Sequence, residues 1–252
     1  MKMHLLSGGR VRMRKAIYIP DADRSEMIEL PVISALLRHA QGNVLFDTGC
    51  HPSIPDNPAR WAGMEKFMTP IMPQGENVLT GLAAIGVQPD DIDVVICSHL
   101  HPDHCGCNAF FKRATVMVHA REVAAARAPD AVKMGFLASE WDVSLPRDEL
   151  SGERDVFGDG RIVLIELPGH TQGSIGALVA LERDGRFLLA SDTVSLRATL
   201  ERDVAPRNTW NADALDKSWQ EVRRIEAGGA TVICGHDDAQ WKTLRKGADA
   251  YE

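Results

Sequence analysis

Four short, largely apolar segments of this chain each end within three residues of a histidine or an aspartate. Continuous apolar runs, unlike alternating ones, are typical of strands that are covered on both faces. Because loops at the carboxyl ends of strands converge on one crevice, we expect these side chains to lie close together. The pattern predicts an α/β sandwich with sheets inside and helices outside. The segments are Ile92–Cys97 (before His99), Ile162–Leu167 (before His170), Phe187–Ala190 (before Asp192) and Thr231–Cys234 (before His236).

Two further segments, Val44–Phe46 and Thr115–Val118, are predicted strands of the same kind. The clearest helical pattern runs from Ala212 to Ala227, where apolar residues recur every three or four positions. Asn211 or Asp213 can cap its start, and Gly228-Gly229 can end it. Shorter helices are expected over 75–85 and from Ala120 onward. No linker or low-complexity stretch divides residues 1–252, so we expect a single domain.

The segment 52–74 differs from the rest of the chain. It contains five prolines together with Trp61, Phe67 and three methionines, Met64, Met68 and Met72. We expect a long ordered loop with some helix, and loops of this length inside a domain are often functional. The apolar side chains predict a loop or lid over a substrate site.

Composition excludes several classes of protein. The net charge of −7 argues against a nucleic-acid-binding surface, and no apolar run approaches the length of a bilayer span. Residues 1–20 carry basic side chains without the apolar core of a secretory signal. We therefore expect a cytoplasmic monomer or homodimer that acts on a small molecule. Its five cysteines are expected to be reduced: Cys50, Cys97, Cys105, Cys107 and Cys234.

The most informative motif is His99-Leu100-His101-Pro102-Asp103-His104. Imidazole and carboxylate groups suit zinc, iron or manganese without any thiolate. Together with the residues at the other strand ends, the motif supplies enough ligands for two divalent metal ions, with open positions left for water. The predicted ligands are His99, His101, Asp103, His104, His170, Asp192 and His236.

This series of residues resembles the metallo-β-lactamase superfamily over nearly the whole chain, beginning at Asp47-Thr48-Gly49. The resemblance implies a four-layer αβ/βα sandwich, with two mixed sheets flanked by helices and two metal ions, most often zinc, at the sheet edge. It further implies that Asp47 orients a ligand loop and that Asp192 bridges the metals. One ion is then held by His99, His101 and His170, and the other by Asp103, His104 and His236.

The long interval between Asp47 and His99 and the phrase Gly235-His236-Asp237-Asp238 look like the N-acyl homoserine lactone lactonases. That resemblance implies ring opening by a hydroxide that bridges the metals, which suggests quorum quenching. Asp103 is the expected proton carrier. These lactonases typically carry a tyrosine three residues after the bridging aspartate, a position occupied here by Ser195. We therefore predict Ser195 as the catalytic hydroxyl.

Two alternatives stay open. The same metal chemistry could act on another cyclic ester or on a thioester, as in pyridoxolactonases or glyoxalase II. A redox diiron protein is a third hypothesis, although neither its usual glutamate ligand nor a flavin-binding partner domain is visible. A further departure from the lactonase pattern is Cys105-Gly106-Cys107, where glycines are usual; we interpret these cysteines as small residues that fill tight space.

Overall fold

The computed structural model describes all 252 residues and places twelve strands in two mixed sheets. The first sheet contains β1 (Lys2–Arg14), β2 (Met27–His39), β3 (Gly42–Phe46), β4 (Met68–Ile71), β5 (Val94–Ile96), β6 (Thr115–His119) and β7 (Arg147–Leu150). The second contains β8 (Arg154–Asp155), β9 (Ile162–Glu166), β10 (Ile175–Leu181), β11 (Gly185–Ser191) and β12 (Ala230–Cys234). Their spatial orders are β4-β1-β2-β3-β5-β6-β7 and β12-β11-β10-β9-β8.

The inner faces of the two sheets enclose one apolar core. Along β2, Ala35 and Leu37 point into this core, whereas Leu36 lies in a separate cluster on the outer face. This alternation follows from the two-residue period of a strand. Leu164 and Val179 fill the same core from the second sheet, so each strand contributes side chains to two layers.

The chain has seven α-helices: α1 (Val78–Ala84), α2 (Pro102–Cys105), α3 (Ala120–Ala126), α4 (Ala138–Trp141), α5 (Arg197–Arg202), α6 (Ala212–Ala227) and α7 (Asp238–Thr243). Helices on the outer faces of both sheets complete the predicted four-layer sandwich. Buried side chains of α1 and α3 pack on the seven-stranded sheet, and those of α6 pack on the five-stranded sheet. None of these helices combines the length and the apolar character needed to cross a membrane.

The helix predictions are confirmed, with one shortened boundary. Helix α6 has the predicted bounds, and its start is capped by Asn211, whose side chain accepts a hydrogen bond from the backbone N–H of Ala214. Helix α1 is shorter than expected because Asn77 caps it, accepting from the backbone N–H of Thr80. A cap of this kind fixes where a helix begins.

The six predicted strands all appear, as β3, β5, β6, β9, β11 and β12. The segment 52–74 contains two 3₁₀ turns, Pro58–Trp61 and Met64–Lys66, and then the strand β4, which the sequence did not predict. Strand β4 pairs antiparallel with β1 at the edge of its sheet. Pro70 argues against a strand in the sequence, because proline has no backbone N–H to donate. It is tolerated in β4 because one side of an edge strand has no partner.

Candidate metal centre

All seven predicted ligands lie at the carboxyl ends of strands and converge on one buried point. Strand β5 leads into His99 and His101, and helix α2 then turns Asp103 and His104 back toward the same place. The remaining ligands follow the strands of the second sheet: His170 follows β9, Asp192 follows β11 and His236 follows β12. The two sheets thus share one edge at which their loops meet.

Three imidazoles form the first ligand group. His99 Nε2 and His170 Nε2 lie 3.1 Å and 3.0 Å from His101 Nδ1. The rings stand nearly perpendicular to one another, so their nitrogens point inward at a common position. The ligand atoms of all three lie within 4.8 Å of one another, which is compact enough for one metal ion.

The second group contains Asp103, His104 and His236. His104 Nε2 lies 3.3 Å from His236 Nε2, and Asp103 Oδ2 lies 3.5 Å and 3.7 Å from these two nitrogens. These ligand atoms also lie within 4.8 Å of one another. The second group therefore has two imidazoles and one carboxylate.

Asp192 connects the two groups. Its Oδ2 is 3.4 Å from His170 Nε2, and its Oδ1 is 2.9 Å from His236 Nε2 and 3.5 Å from His104 Nε2. A Cβ atom at Gly235 would lie only 2.6 Å from Asp192 Oδ1, so a residue without a side chain is required there. Asp192 is thus placed where one carboxylate can serve two ions.

Four of the five histidines use their outward nitrogen for a hydrogen bond to the protein. Such a bond fixes the ring and its tautomer and leaves the other nitrogen free as a ligand. Only His101 presents Nδ1 to the centre, because its Nε2 donates to a backbone carbonyl. The bonds run from His99 Nδ1 to Ser98 Oγ (2.9 Å), His101 Nε2 to Met134 O (2.9 Å), His104 Nδ1 to Asp47 Oδ2 (2.9 Å) and His236 Nδ1 to Pro31 O (2.7 Å).

Asp47 lies beneath the centre and is fully buried. It accepts hydrogen bonds from the Ser98 N–H (2.7 Å), the Ser98 hydroxyl (2.8 Å), His104 Nδ1 (2.9 Å) and the Ser191 hydroxyl (3.1 Å). Asp47 and Ser191 both have positive φ angles, of 56° and 46°. Strained backbone of this kind persists where the surrounding contacts hold it, and it is frequent at functional sites.

Burial and mutual charge perturb the titration of the centre. Burial, followed by the neighbouring imidazoles, holds the pKa of His99 well below its ordinary value. Burial also acts to lower the pKa of His104, but the carboxylates of Asp103, Asp192 and Asp47 outweigh it and raise that pKa to about 10. The negative charge of the centre therefore favours a cation between the ligands, either a proton or a metal ion.

The buried atoms fit two divalent metal ions. Asp192 Oδ1 is buried and makes no hydrogen bond, and the inward nitrogens of neighbouring imidazoles face one another at about van der Waals distance or closer. Buried acceptors without a donor are costly, and a cation in each group would satisfy them. Imidazole and carboxylate ligands suit zinc, iron, manganese or cobalt, and no cysteine belongs to either group.

Glu122 joins two of the ligand loops, a role the sequence did not reveal. One of its carboxylate oxygens accepts from the backbone N–H of Leu100 (3.0 Å), and the other accepts from that of Gly173 (2.9 Å). Leu100 lies between two ligands, and Gly173 follows the third. Burial raises the pKa of this carboxyl to about 7. The only sequence signal is a charged residue on the buried face of α3.

A cavity of about 470 Å³ opens above the centre, with His101, Asp103 and Asp192 among its lining residues. Met64, Phe67 and Met68 of the segment 52–74 line it as expected, but Trp61 does not; it is fully buried in the core below. Among the large hydrophobic side chains that remain exposed, all but Met27 line this cavity: Phe67, Val132, Met134 and Trp210. Apolar surface is thus concentrated at the mouth of the cavity.

Ser195 lies close to the centre in the chain but does not line the cavity. It is 1% exposed, and its hydroxyl donates to the backbone carbonyl of Asp192 at 3.3 Å. Cys105 and Cys107 are fully buried, and their thiols contact the backbone carbonyls of His101 and Cys50, both at 3.2 Å. The two thiols therefore fill space below the metal ligands.

Comparison with known proteins agrees with this geometry. The model of the Metallo-beta-lactamase superfamily matches residues 28–236. The N-acyl homoserine lactonase AiiB of Agrobacterium fabrum is 31% identical over 99% of this chain and 98% of its own length. A solved N-acyl homoserine lactone hydrolase, with N-hexanoyl-L-homoserine bound at its catalytic metal centre, superposes with a TM-score of 0.89 at 24% identity, covering 99% of this chain and 98% of that one.

The dizinc quorum-quenching lactonase AidC is more distant, with a TM-score of 0.71 at 15% identity over 94% of this chain and 87% of its own. With the ligand groups in place and a family match that spans most of the residues, the chain belongs to the metallo-β-lactamase superfamily.

Proposed function

We propose that this protein is a metal-dependent hydrolase that opens the ring of N-acyl homoserine lactones. The observation that carries the proposal is the position of two compact ligand groups, joined by Asp192, at the floor of a cavity with an apolar mouth. The likeness to N-acyl homoserine lactonases along the whole chain supports the same substrate class.

The ligands divide as the geometry groups them. His99, His101 and His170 would hold one ion, Asp103, His104 and His236 would hold the other, and Asp192 would be shared. Asp47 and Glu122 keep the ligand loops in place through their hydrogen bonds to Ser98 and Leu100. Zinc is the metal we expect, in line with the dizinc lactonase of the same fold.

Two bound divalent ions would supply a water-derived nucleophile at neutral pH and would polarise the ring carbonyl. Asp103 is a ligand that also lines the cavity, so its carboxylate is placed to take a proton from the attacking water. The same carboxylate returns the proton to the ring oxygen as the ester bond breaks. Ser195 is left out of these steps because its hydroxyl is buried against a backbone carbonyl.

The cavity wall fits an acyl chain. Met64, Phe67 and Met68 come from the segment 52–74, which we propose is a lid over the substrate site. Strand β4 attaches one end of this lid to β1, and Arg60 attaches its middle to the buried Glu140 at 2.6 Å. Phe67 is 79% exposed, so its ring gains most from covering an apolar chain.

The test is ring opening by purified protein loaded separately with zinc, manganese, iron or cobalt. Acid release should be measured with N-acyl homoserine lactones of short and long acyl chains, an aliphatic lactone, an aromatic lactone, a thioester and a phosphodiester. We expect the highest kcat/KM for the N-acyl homoserine lactones, and we expect Phe67→Ala to reduce it most for the long chain.

The matched controls are two histidine substitutions. His101→Gln removes a ligand and should abolish turnover, whereas His39→Gln removes a histidine that pairs with Asp159 outside the centre and should leave turnover unchanged. Faster cleavage of the thioester or of a lactone without an acylamino group would reassign the substrate. No hydrolysis, combined with a redox-active diiron spectrum, would refute the proposal.

A further inference from the structure

Tyr18 is a buried phenol in the wall of the cavity above the metal centre. It lines the cavity together with Asp103 and Asp192, yet it is only 2% exposed. Its ring centroid lies 6.3 Å from that of His236. The ring therefore lies deep in the wall of the cavity, beside one residue of the second ligand group.

The backbone around Tyr18 holds the ring in this position. A 3₁₀ turn, Lys15–Ile17, ends at Tyr18, whose N–H donates to the Lys15 carbonyl at 3.0 Å. The Arg207 N–H donates to the Ile17 carbonyl at 2.7 Å, and its guanidinium donates to the Pro20 carbonyl at 2.9 Å. Arg207, from a distant segment, thus binds the backbone on both sides of Tyr18, which favours a precise role over a flexible one.

A phenol is protonated at neutral pH, because its ordinary pKa is about 10. A protonated phenol is an uncharged hydrogen-bond donor. Unlike a lysine or an arginine, it is not neutralised by pairing with the neighbouring carboxylates.

The other side-chain donors that line the cavity outside the ligand groups belong to residues that are more exposed than Tyr18. Lys133, Arg207, Asn208 and Trp210 are exposed, and Thr209 is half-buried. The ligand histidines direct their free nitrogens at the metal positions. Tyr18 is therefore the fully buried side-chain donor that lines the cavity without belonging to a ligand group.

We propose that Tyr18 is a catalytic residue whose hydroxyl donates a hydrogen bond to the carbonyl oxygen of the lactone ring and to the oxyanion that develops there. The proposal rests on the lactonase function proposed above. Donors aimed at developing charge in a dry site stabilise the transition state more than the ground state. Tyr18 thereby supplies, from the N-terminal strand region, a hydroxyl that Ser195 does not present to the cavity.

The test compares Tyr18→Phe with Tyr251→Phe, the matched loss of a hydroxyl at the only other tyrosine of the chain. The Tyr251 hydroxyl accepts from the Arg245 N–H, its ring packs on Phe187, and neither Tyr251 nor Arg245 lines the cavity. Loss of one oxyanion donor costs about 100-fold in kcat in well-studied enzymes. We expect Tyr18→Phe to lower kcat by about 10-fold or more with KM little changed, since metal ions share the charge. Tyr251→Phe should leave both constants unchanged.

A binding measurement adds a readout that does not depend on turnover. The chain has two tyrosines, so protein labelled with fluorotyrosine gives two fluorine resonances. Each resonance is assigned by its absence from the spectrum of the corresponding phenylalanine variant. Adding N-hexanoyl homoserine to the zinc-loaded protein should shift the Tyr18 resonance and leave that of Tyr251 in place. Thermal unfolding and zinc content of Tyr18→Phe should match the wild type, because the ring and its packing are retained.

The outcomes separate the two proposals. A wild-type protein that opens no lactone would overturn the lactonase function and, with it, this role of Tyr18. An active wild type with a Tyr18→Phe variant of equal kcat, or one in which KM alone rises, would overturn the role of Tyr18 while the lactonase function stands. A Tyr18 resonance that does not respond to N-hexanoyl homoserine would also count against it.

Discussion

Replacing Asp47 by asparagine tests how the ligands of the metal centre are held in place. Asparagine has nearly the same shape and tolerates the positive φ of this position, so the backbone is spared. The substitution replaces one of the two acceptor oxygens of this fully buried side chain by an NH₂ group, which can only donate. One oxygen of Asp47 receives the N–H of Ser98, and the other receives the Ser98 hydroxyl, His104 Nδ1 and the Ser191 hydroxyl.

The least damaging orientation of the amide keeps its oxygen toward the three side-chain donors and turns its NH₂ against the Ser98 N–H. One buried donor is then unsatisfied, which costs about 1–3 kcal/mol, and three bonds lose the strengthening due to the carboxylate charge. We therefore expect Asp47→Asn to lower the free energy of unfolding of the metal-free protein by about 4 kcal/mol. Because His104 loses its orienting partner, zinc affinity should fall by about 10- to 100-fold.

Urea unfolding of the chelated protein measures the first quantity, and competition with a chromophoric chelator measures the second. Asp159→Asn is the control, because Asp159 pairs with His39 at a partly exposed site, where an ion pair contributes at most about 1 kcal/mol. An Asp47→Asn protein as stable as this control, with zinc affinity within about twofold of the wild type, would refute the positioning role.

Three further predictions concern buried groups around the centre. Burial raises the pKa of Glu122 from 4.5 to about 7 in the folded protein. The stability that the protonated carboxyl contributes is therefore complete below pH 4.5 and is lost as pH rises through about 7. In urea unfolding of the metal-free proteins, the free energy of unfolding of the wild type should fall by about 3 kcal/mol relative to that of Glu122→Gln as pH rises from about 4.5 to 8. A difference between the two proteins that does not change with pH would contradict this. Arg60→Met leaves Glu140 unpaired and should cost about 3 kcal/mol by calorimetry, most of it recovered in the double variant with Glu140→Gln. A single variant as stable as the wild type would show that this ion pair does not hold the lid. Finally, the native protein should not react with a thiol reagent, because all five cysteines are buried, and five thiols should react after unfolding; modification of several thiols in the native state would contradict the burial.

The agreement between sequence and structure is greatest where local pattern and chemistry coincide. The six predicted strands are short apolar runs, four of which lead into the predicted ligands, and α6 has both a cap and a clear helical period. These features are readable because each depends on residues that are neighbours in the chain. Strand β4 was missed because its only support is pairing with β1, more than fifty residues earlier in the sequence.

The same distinction applies to the site. Asp47 was expected from its motif, but Ser98, Ser191 and Glu122 join the ligand network through hydrogen bonds that span 22 to 144 positions. Ser195 is the opposite case, in which the sequence suggested a role that the position of the side chain does not support. Its position in the sequence suggested a catalytic hydroxyl, whereas its side chain is 1% exposed and bonded to a carbonyl.

The sequence by itself determined the donor types, their order along the chain and their placement at strand ends, because ligand chemistry and strand periodicity are local properties. Only the tertiary structure decided which imidazole nitrogen faces the centre and which apolar side chains form the cavity. It also brought Tyr18, from the N-terminal region, to the wall above them. The physical reason is that such positions depend on packing between segments far apart in the chain, which no local pattern records.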